Sequence, residues 1–310
     1  MPLRRVRTAG LAWPASKRIL EGMFGFLNVN KPIGPTSHDI VARARRLVGP
    51  HVKVGHAGTL DPFASGVLVV CVGAATRLAR YVQATPKRYA AEVVLGATST
   101  TDDPEGLVTP TPGAQPPAAE AVRRCLAGFA GEIRQVPPAH CAVWVGGRRA
   151  YKIARSGGQV DLAPRLVTIH AVELLRYEYP SLEIDVTCGS GTYIRSLARD
   201  IGAALGVGGH CARLTRTAVG VFRLETARPV EQIDPQRDLL PPLLGLADLP
   251  RVEVTPEQAR RVARGRTISL SRPVPPGEVA AVGADSQLLA IAAVGADERT
   301  LRPIKVFKQD

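Results

Sequence analysis

The change of period between Leu182 and Leu205 restricts this chain more than any other feature. Leu182, Ile184, Val186 and Cys188 alternate with Glu183, Asp185 and Thr187, the spacing of a half-buried strand. Gly189-Ser190-Gly191 interrupts the alternation. From Thr192 the apolar positions Ile194, Leu197, Ala198, Ile201 and Leu205 recur at helical spacing until Gly206 closes the run. Strands and helices must therefore mix. Gly25–Lys31 reads as a short strand stopped by Pro32, and Thr36 and Asp39 stand at capping-box spacing before the stripe Ile40, Val41, Ala44, Leu47 and Val48. Gly49-Pro50 ends that helix. The run Val67–Val72 predicts a buried strand, and Tyr89–Leu95 alternates well enough for another. Asp102–Gly106 turns the chain, residues 110–117 form a Pro-rich surface connection, and Val122, Leu126 and Phe129 mark an amphipathic helix.

A chain of 310 residues suits one large domain and a smaller one. The texture changes near residue 250, where a short helix, Pro256–Ala263, precedes β segments such as Val279–Val282 and Leu288–Ala293 separated by Pro and Gly. We expect a large domain over 23–235 and a compact β-rich one over 250–310. Residues 1–22 carry Arg4, Arg5, Arg7, Lys17 and Arg18 and read as a basic N-terminal arm that could be flexible. They contain no apolar stretch of signal-peptide length, which favours a cytoplasmic protein. The longest apolar run, Val67 to Ala75, is broken by Gly73 and falls far short of the ~20 residues a membrane span needs.

Forty Lys and Arg against 27 Asp and Glu leave a net charge of +13, which favours a polyanionic partner through counterion release. Basic and aromatic residues interleave in Lys87-Arg88-Tyr89 and in Arg148-Arg149-Ala150-Tyr151-Lys152, with Arg155 following; cations for phosphates beside rings for bases suit single-stranded RNA. A solvated face with Tyr89 packed in the core is the plainer alternative. The five cysteines form no C-x-x-C pair and fit free, mostly buried thiols in a reducing compartment. The chain has no G-x-x-x-x-G-K-[ST], H-E-x-x-H or G-x-S-x-G signature, and its six histidines lack metal-ligand spacing, which disfavours cofactor chemistry.

Asp61 remains. It ends the Gly-rich loop Gly55–Pro62 near His56, and Pro62 pushes it out of the helical region so that its carboxylate can project from a turn. Turn or capping chemistry is the commoner use of such an aspartate. The second unusual segment is Gly189–Arg195, where a strand, a glycine break and a helix start offer N–H groups to an anion, with Arg195 able to clamp a phosphate or hold a carboxylate ionised.

In order along the chain, Gly25–Pro32 with Thr36-Ser37-His38, Gly55–Pro62, Lys87–Tyr89, Pro137-Pro138 with Gly147–Tyr151, Gly191–Arg195 and Leu214-Thr215-Arg216 resemble the TruB family of tRNA pseudouridine synthases. The resemblance is strong over residues 24–225, and the last sixty residues look like that family's small RNA-binding PUA domain. It implies an α+β fold, a large mostly antiparallel sheet flanked by helices, with a C-terminal β-rich PUA-like barrel. It implies an isomerase that converts uridine 55 in the T-loop of tRNA to pseudouridine, with the nucleotide flipped out and with no cofactor or metal. Asp61 matches the nucleophile, with Arg195 as its ion-pair partner. His56 matches the loop histidine that fills space left by the flipped nucleotide, Tyr89 the ring that stacks on uracil and could handle the C5 proton, and Tyr193 and Leu214 the rest of the pocket wall. Arg195 should favour ionised Asp61 and lower its pKa. The tRNA T-arm is the expected partner, with no obligate protein partner and monomer as the default. Cys141 and Trp144 stand where the family pattern has serine and lysine, which touches RNA positioning more than catalysis. Two rivals stand beside this reading: a non-catalytic tRNA-binding or folding protein that has kept the cleft, and a glycoside hydrolase using Asp102 or Asp103 as its second acid.

Overall fold

The computed structural model describes residues 23–307 apart from Ala142 and Gln159. The expected basic arm and the side chain of Arg155 lie outside the described residues.

Strand β1 (Gly25–Lys31) stops at Pro32, and helix α1 (Ser37–Val48) begins with the predicted box: the Asp39 N–H donates to Thr36 Oγ1 at 3.1 Å and the Thr36 N–H donates to Asp39 Oδ2 at 2.8 Å. Ile40, Val41, Ala44 and Val48 are buried as expected; Leu47 is exposed, because it lies at the edge of the stripe in the last turn. Strands β2 (Val54–His56) and β3 (Ser65–Val72) follow. Val67, Val69 and Cys71 of β3 pack toward Phe26 and Leu78, while Leu68, Val70 and Val72 pack toward α1. Both faces are covered, which is why the run is apolar without alternation.

The chain continues through α2 (Ala79–Ala84), β4 (Lys87–Leu95), the small pair β5 (Ala97–Ser99) and β6 (Val108–Pro110), α3 (Ala119–Ala127) and β7 (Gly131–Gln135). A hairpin, β8 (Trp144–Val145) and β9 (Arg148–Arg149), turns at Gly146-Gly147, both at positive φ as such a tight turn requires. Next come α4 (Ala150–Arg155), β10 (Arg165–Glu178), β11 (Ser181–Cys188), α5 (Ile194–Ala204), β12 (Gly209–Val219), β13 (Phe222–Arg223) and α6 (Pro235–Asp238). Nine strands form one sheet with the order β1-β3-β12-β4-β11-β10-β7, with β2 on β3 and β13 on β12. Every described pair in it is antiparallel except β3–β12, which sets Arg216 opposite Gly66. Helix α5 seats Ile194, Leu197, Ala198 and Ile201 on Val93, Leu95 and Ile184. It lies so close to β12 that a Cβ on Gly202 would come within 2.2 Å of the Gly209 nitrogen.

A second sheet holds β14 (Arg251–Glu253), β15 (Ile268–Ser269), β16 (Gly277–Val282), β17 (Leu288–Val294) and β18 (Thr300–Val306), in the order β14-β16-β17-β18-β15, with α7 (Pro256–Ala263) beside it. Ala280, Val282, Ile291 and Phe307 share one apolar cluster with Phe26 and Val69 of the main sheet and with Leu78, and Phe24 stacks on Phe307 at 4.9 Å. The mixed fold, with its large sheet and curled C-terminal sheet, is the architecture expected from the sequence. No helix among the described residues is long and apolar enough to cross a membrane.

Candidate active site

Asp61 stands on the loop between β2 and β3, and that loop is tied down on three sides. Ser37 Oγ, at the start of α1, donates to the Leu60 carbonyl and accepts the Leu60 N–H, both at 2.8 Å. Lys31 Nζ, at the end of β1, donates to the carbonyls of Pro32, Pro35 and Pro62 at 2.8, 2.9 and 3.3 Å. From β12, Arg216 donates through Nη1 to Thr59 O at 3.1 Å and through Nη2 to Gly58 O at 3.2 Å. With its backbone so fixed, the Asp61 carboxylate keeps 36% of its side-chain surface open. Its pairing with a buried arginine separates it from the turn-capping aspartate the loop alone suggests.

Arg195, in the first turn of α5, faces it. The guanidinium is 4% exposed and lies 3.0 Å through Nε from Asp61 Oδ2, an ion pair in which that N–H is not aimed at the oxygen. Nη1 donates to Asp103 Oδ2 at 2.9 Å and Thr101 O at 3.0 Å, and Nη2 to His140 O at 2.9 Å. One cation thus serves two carboxylates. The expected lowering of the Asp61 pKa is reversed: burial pushes the carboxyl above its usual 3.8, Arg195 opposes the rise, and Asp103 adds to it. Lys31 and Arg216 pull it back toward ionisation.

Tyr89 and Tyr193 lie near enough to Asp61 to sense its charge, whereas His56 has His38 and Arg216 as its charged neighbours. Tyr89 on β4 and Leu214 on β12 are buried in the same cluster as Leu60 and Ile194. Tyr89 is only 9% exposed, so the core packing weighed for it in the sequence holds, and burial raises its phenol above 10.0. Tyr193 is the N-cap residue of α5 and rests on Cys141, Val143, Ala150 and Leu162; burial, then Cys141, pushes its hydroxyl up to about 12. His56 closes β2, its ring edge-on to His38 at 6.3 Å. Burial and the neighbouring His38 and Arg216 lower its pKa, and its Nδ1 is buried without a partner.

Other expectations change. Lys87 is not a phosphate-binding surface cation: its Nζ is buried and donates to the Gln83 and Thr85 carbonyls, and Arg88 pairs with Asp185 at 2.7 Å. The α5 start does not offer all its N–H groups to an anion, since the Tyr193 N–H donates to Gln135 Oε1 at 2.8 Å. Asp103 pairs with Arg195 and Asp102 with Arg199 at 2.8 Å, both carboxylates buried, so neither faces the cleft as the second acid a glycoside hydrolase needs. Trp144 is 60% exposed on the β8–β9 hairpin, with the Arg149 guanidinium 4.4 Å over its ring. The sequence assigned no role to Lys31, Ser37 or Gln135 and offered Asp103 only as a second acid, not as a partner of Arg195; Lys31 before Pro32 and Ser37 after the cap were visible signals. All five cysteines are free thiols. No group of three or more His, Cys, Asp or Glu among the described residues is placed to hold a metal ion.

Residues 45–194 match the description "TruB family pseudouridylate synthase (N terminal domain)" and residues 195–236 match "tRNA pseudouridylate synthase B C-terminal domain". The chain is 44% identical over 273 residues to the tRNA pseudouridine synthase B of Mycobacterium sp. (strain KMS), covering 86% of this chain and 91% of that one. It is 43% identical over 295 residues to that of Microcystis aeruginosa (strain NIES-843 / IAM M-2473), covering 93% and 100%. Among solved structures, an H/ACA RNP bound to a substrate RNA containing 2'-deoxyuridine matches with a TM-score of 0.72 at 26% identity, over 93% of this chain and 86% of that one. A Cbf5-Nop10-Gar1 complex matches at 0.71 and 26%, over 96% and 88%.

Proposed function

Because the chain belongs to the TruB family of pseudouridylate synthases and is therefore an isomerase, we propose that it converts uridine 55 in the T-loop of tRNA to pseudouridine, with Asp61 as the nucleophile. The observation that carries this reading is a partly open carboxylate on an immobilised loop, 3.0 Å from a buried guanidinium, beside the buried cluster that holds Tyr89 and Leu214 with Leu60.

The chemistry explains the parts. The N1–C1′ bond breaks, the base turns within the site, and a C5–C1′ bond forms; the C5 proton leaves and N1 gains one. The base must leave its stack, at a cost of a few kcal/mol, and must not escape before it is rejoined. Asp61 supplies the anion at the sugar–base junction, with Arg195 holding it ionised against the cost of burial. The Tyr89 ring offers a stacking face; its phenol, raised by burial, stays neutral near pH 7, which supports stacking over service as a base. Tyr193 and Leu214 close the pocket wall. His56, kept neutral by its lowered pKa, occupies the space the nucleotide vacates without adding charge. The C-terminal sheet with α7 is a PUA-like RNA-binding unit in this reading, supported by the exposed Arg251, Arg260, Arg261, Arg264 and Arg266.

An unmodified T-arm hairpin and a full tRNA transcript, each incubated with the purified protein and mapped by base-resolved chemical probing, test the proposal. Conversion at position 55 alone is expected. Conversion confined to another uridine would overturn the site assignment.

A further inference from the structure

The functional reading leaves Arg216 without a task, yet its surroundings are those of a working part. It is 2% exposed, and each arm of its guanidinium is engaged: Nε donates to Val67 O of β3 at 2.7 Å, while Nη1 and Nη2 take the carbonyls of Thr59 and Gly58. Thr59 and Gly58 precede Asp61 by two and three residues. The backbone of Arg216 is itself pinned. It pairs in parallel with Gly66 and antiparallel with Tyr89, and a Cβ on Gly66 would come within 2.2 Å of the Arg216 carbonyl. A buried cation with no carboxylate in contact among the described residues is costly, and it is retained here where only a planar fork reaches two successive loop carbonyls and a strand carbonyl together.

We infer that Arg216 is a positioning residue for the reaction: it fastens the Gly58–Thr59 turn to the β3–β12 seam and so fixes where the Asp61 carboxylate stands against Arg195. This rests on Asp61 as the reacting group. Arg216 acts at one end of the loop, and Lys31, on Pro62, at the other. The charged groups around Asp61 are Arg195 from α5, Asp103 from the β5–β6 connection, Lys31 from β1 and Arg216 from β12; Tyr89, Tyr193 and Cys211 lie near enough to sense its charge. Arg216 therefore also favours the ionised carboxylate.

Arg216→Lys and Arg216→Met test this with two readouts. The first is the single-turnover rate at saturating tRNA; the second is the titration of the Asp61 carboxyl carbon in the free protein, assigned with Asp61→Asn. Arg216→Lys keeps the charge but not the fork. It should melt within a few degrees of wild type and bind tRNA within about threefold, yet lose about 10²-fold in rate, the scale of a ~1 Å misplacement. The Asp61 midpoint should rise in both variants, further in Arg216→Met. A folded Arg216→Lys protein whose saturated rate stays within twofold of wild type overturns the inference, as does a loss that more tRNA restores. Should Arg216→Met fail to fold, Arg216→Lys alone decides. Should wild type make no pseudouridine, the functional reading has failed, and the titration still judges Arg216: an unmoved midpoint in the folded variants overturns the inference.

Discussion

Asp61 and Asp103 compete for one buried cation, and that competition sets the acid behaviour of the site. Burial raises the Asp61 carboxyl above 3.8 and Asp103 adds to the rise. If Asp61 reacts as the carboxylate, as proposed, the single-turnover rate should fall on the acid side with a midpoint above 3.8. In Asp103→Asn that limb should move to lower pH, since Arg195 then serves Asp61 alone. A limb that stays put would contradict the shared-cation account. The two substitutions differ in their expected effect on stability. A carboxyl whose folded pKa is raised loses native-state stability as pH climbs from its unfolded value through its folded one. Asp61→Asn should therefore melt no lower than wild type at pH 7. Asp103→Asn breaks a fully buried pair and should cost about 3 kcal/mol, read by denaturant unfolding. Asp61 was legible because Pro62 and two glycines mark its loop, whereas Asp103 looked like an ordinary turn residue. Nothing near residue 103 in the sequence announces a partner 92 residues away.

At the level of elements, the site is assembled where α5 and the β2–β3 loop meet over β12. The closeness of α5 to β12 depends on Gly202, whose Cβ would meet the Gly208 and Gly209 backbone at 2.2–2.5 Å. Gly202→Ala should cost about 1–3 kcal/mol by overpacking and displace Arg195 with the helix, lowering both melting temperature and saturated rate. A variant with unchanged stability would show that the helix has room to spare. The elements themselves were readable from period: the alternation in β11, the stripe of α5 and the box opening α1 each appear in the sequence as folded. The fastening of the loop was not. Lys31 reaches Pro62 across 31 residues and Arg216 reaches Gly58 across 158, and hydrogen bonds to carbonyls leave no pattern in side-chain hydrophobicity. The same blindness misassigned Lys87, a buried clamp that reads in sequence like a phosphate contact.

Across the whole molecule, the two sheets are joined by a shared apolar cluster rather than a loose linker. Phe307, just after β18, is fully buried in that seam, against Phe24 and beneath Arg77. Phe307→Ala should cost about 3–5 kcal/mol, lowering the melting temperature by roughly 10 °C; an unchanged melt would mean the sheets are stabilised independently. The second sheet begins with β14 at Arg251, and nothing in its composition announced that it would bury itself against β1 and β3. If the Asp61 carboxylate performs the isomerisation, loss of the C5 hydrogen depends on it. With tRNA carrying [5-³H]uridine, wild type should release tritium stoichiometrically with the modified uridine. Asp61→Asn should bind the same tRNA within about tenfold and release none, since the phosphate contacts survive without the nucleophile. Sustained tritium release by a folded Asp61→Asn protein would contradict the claim.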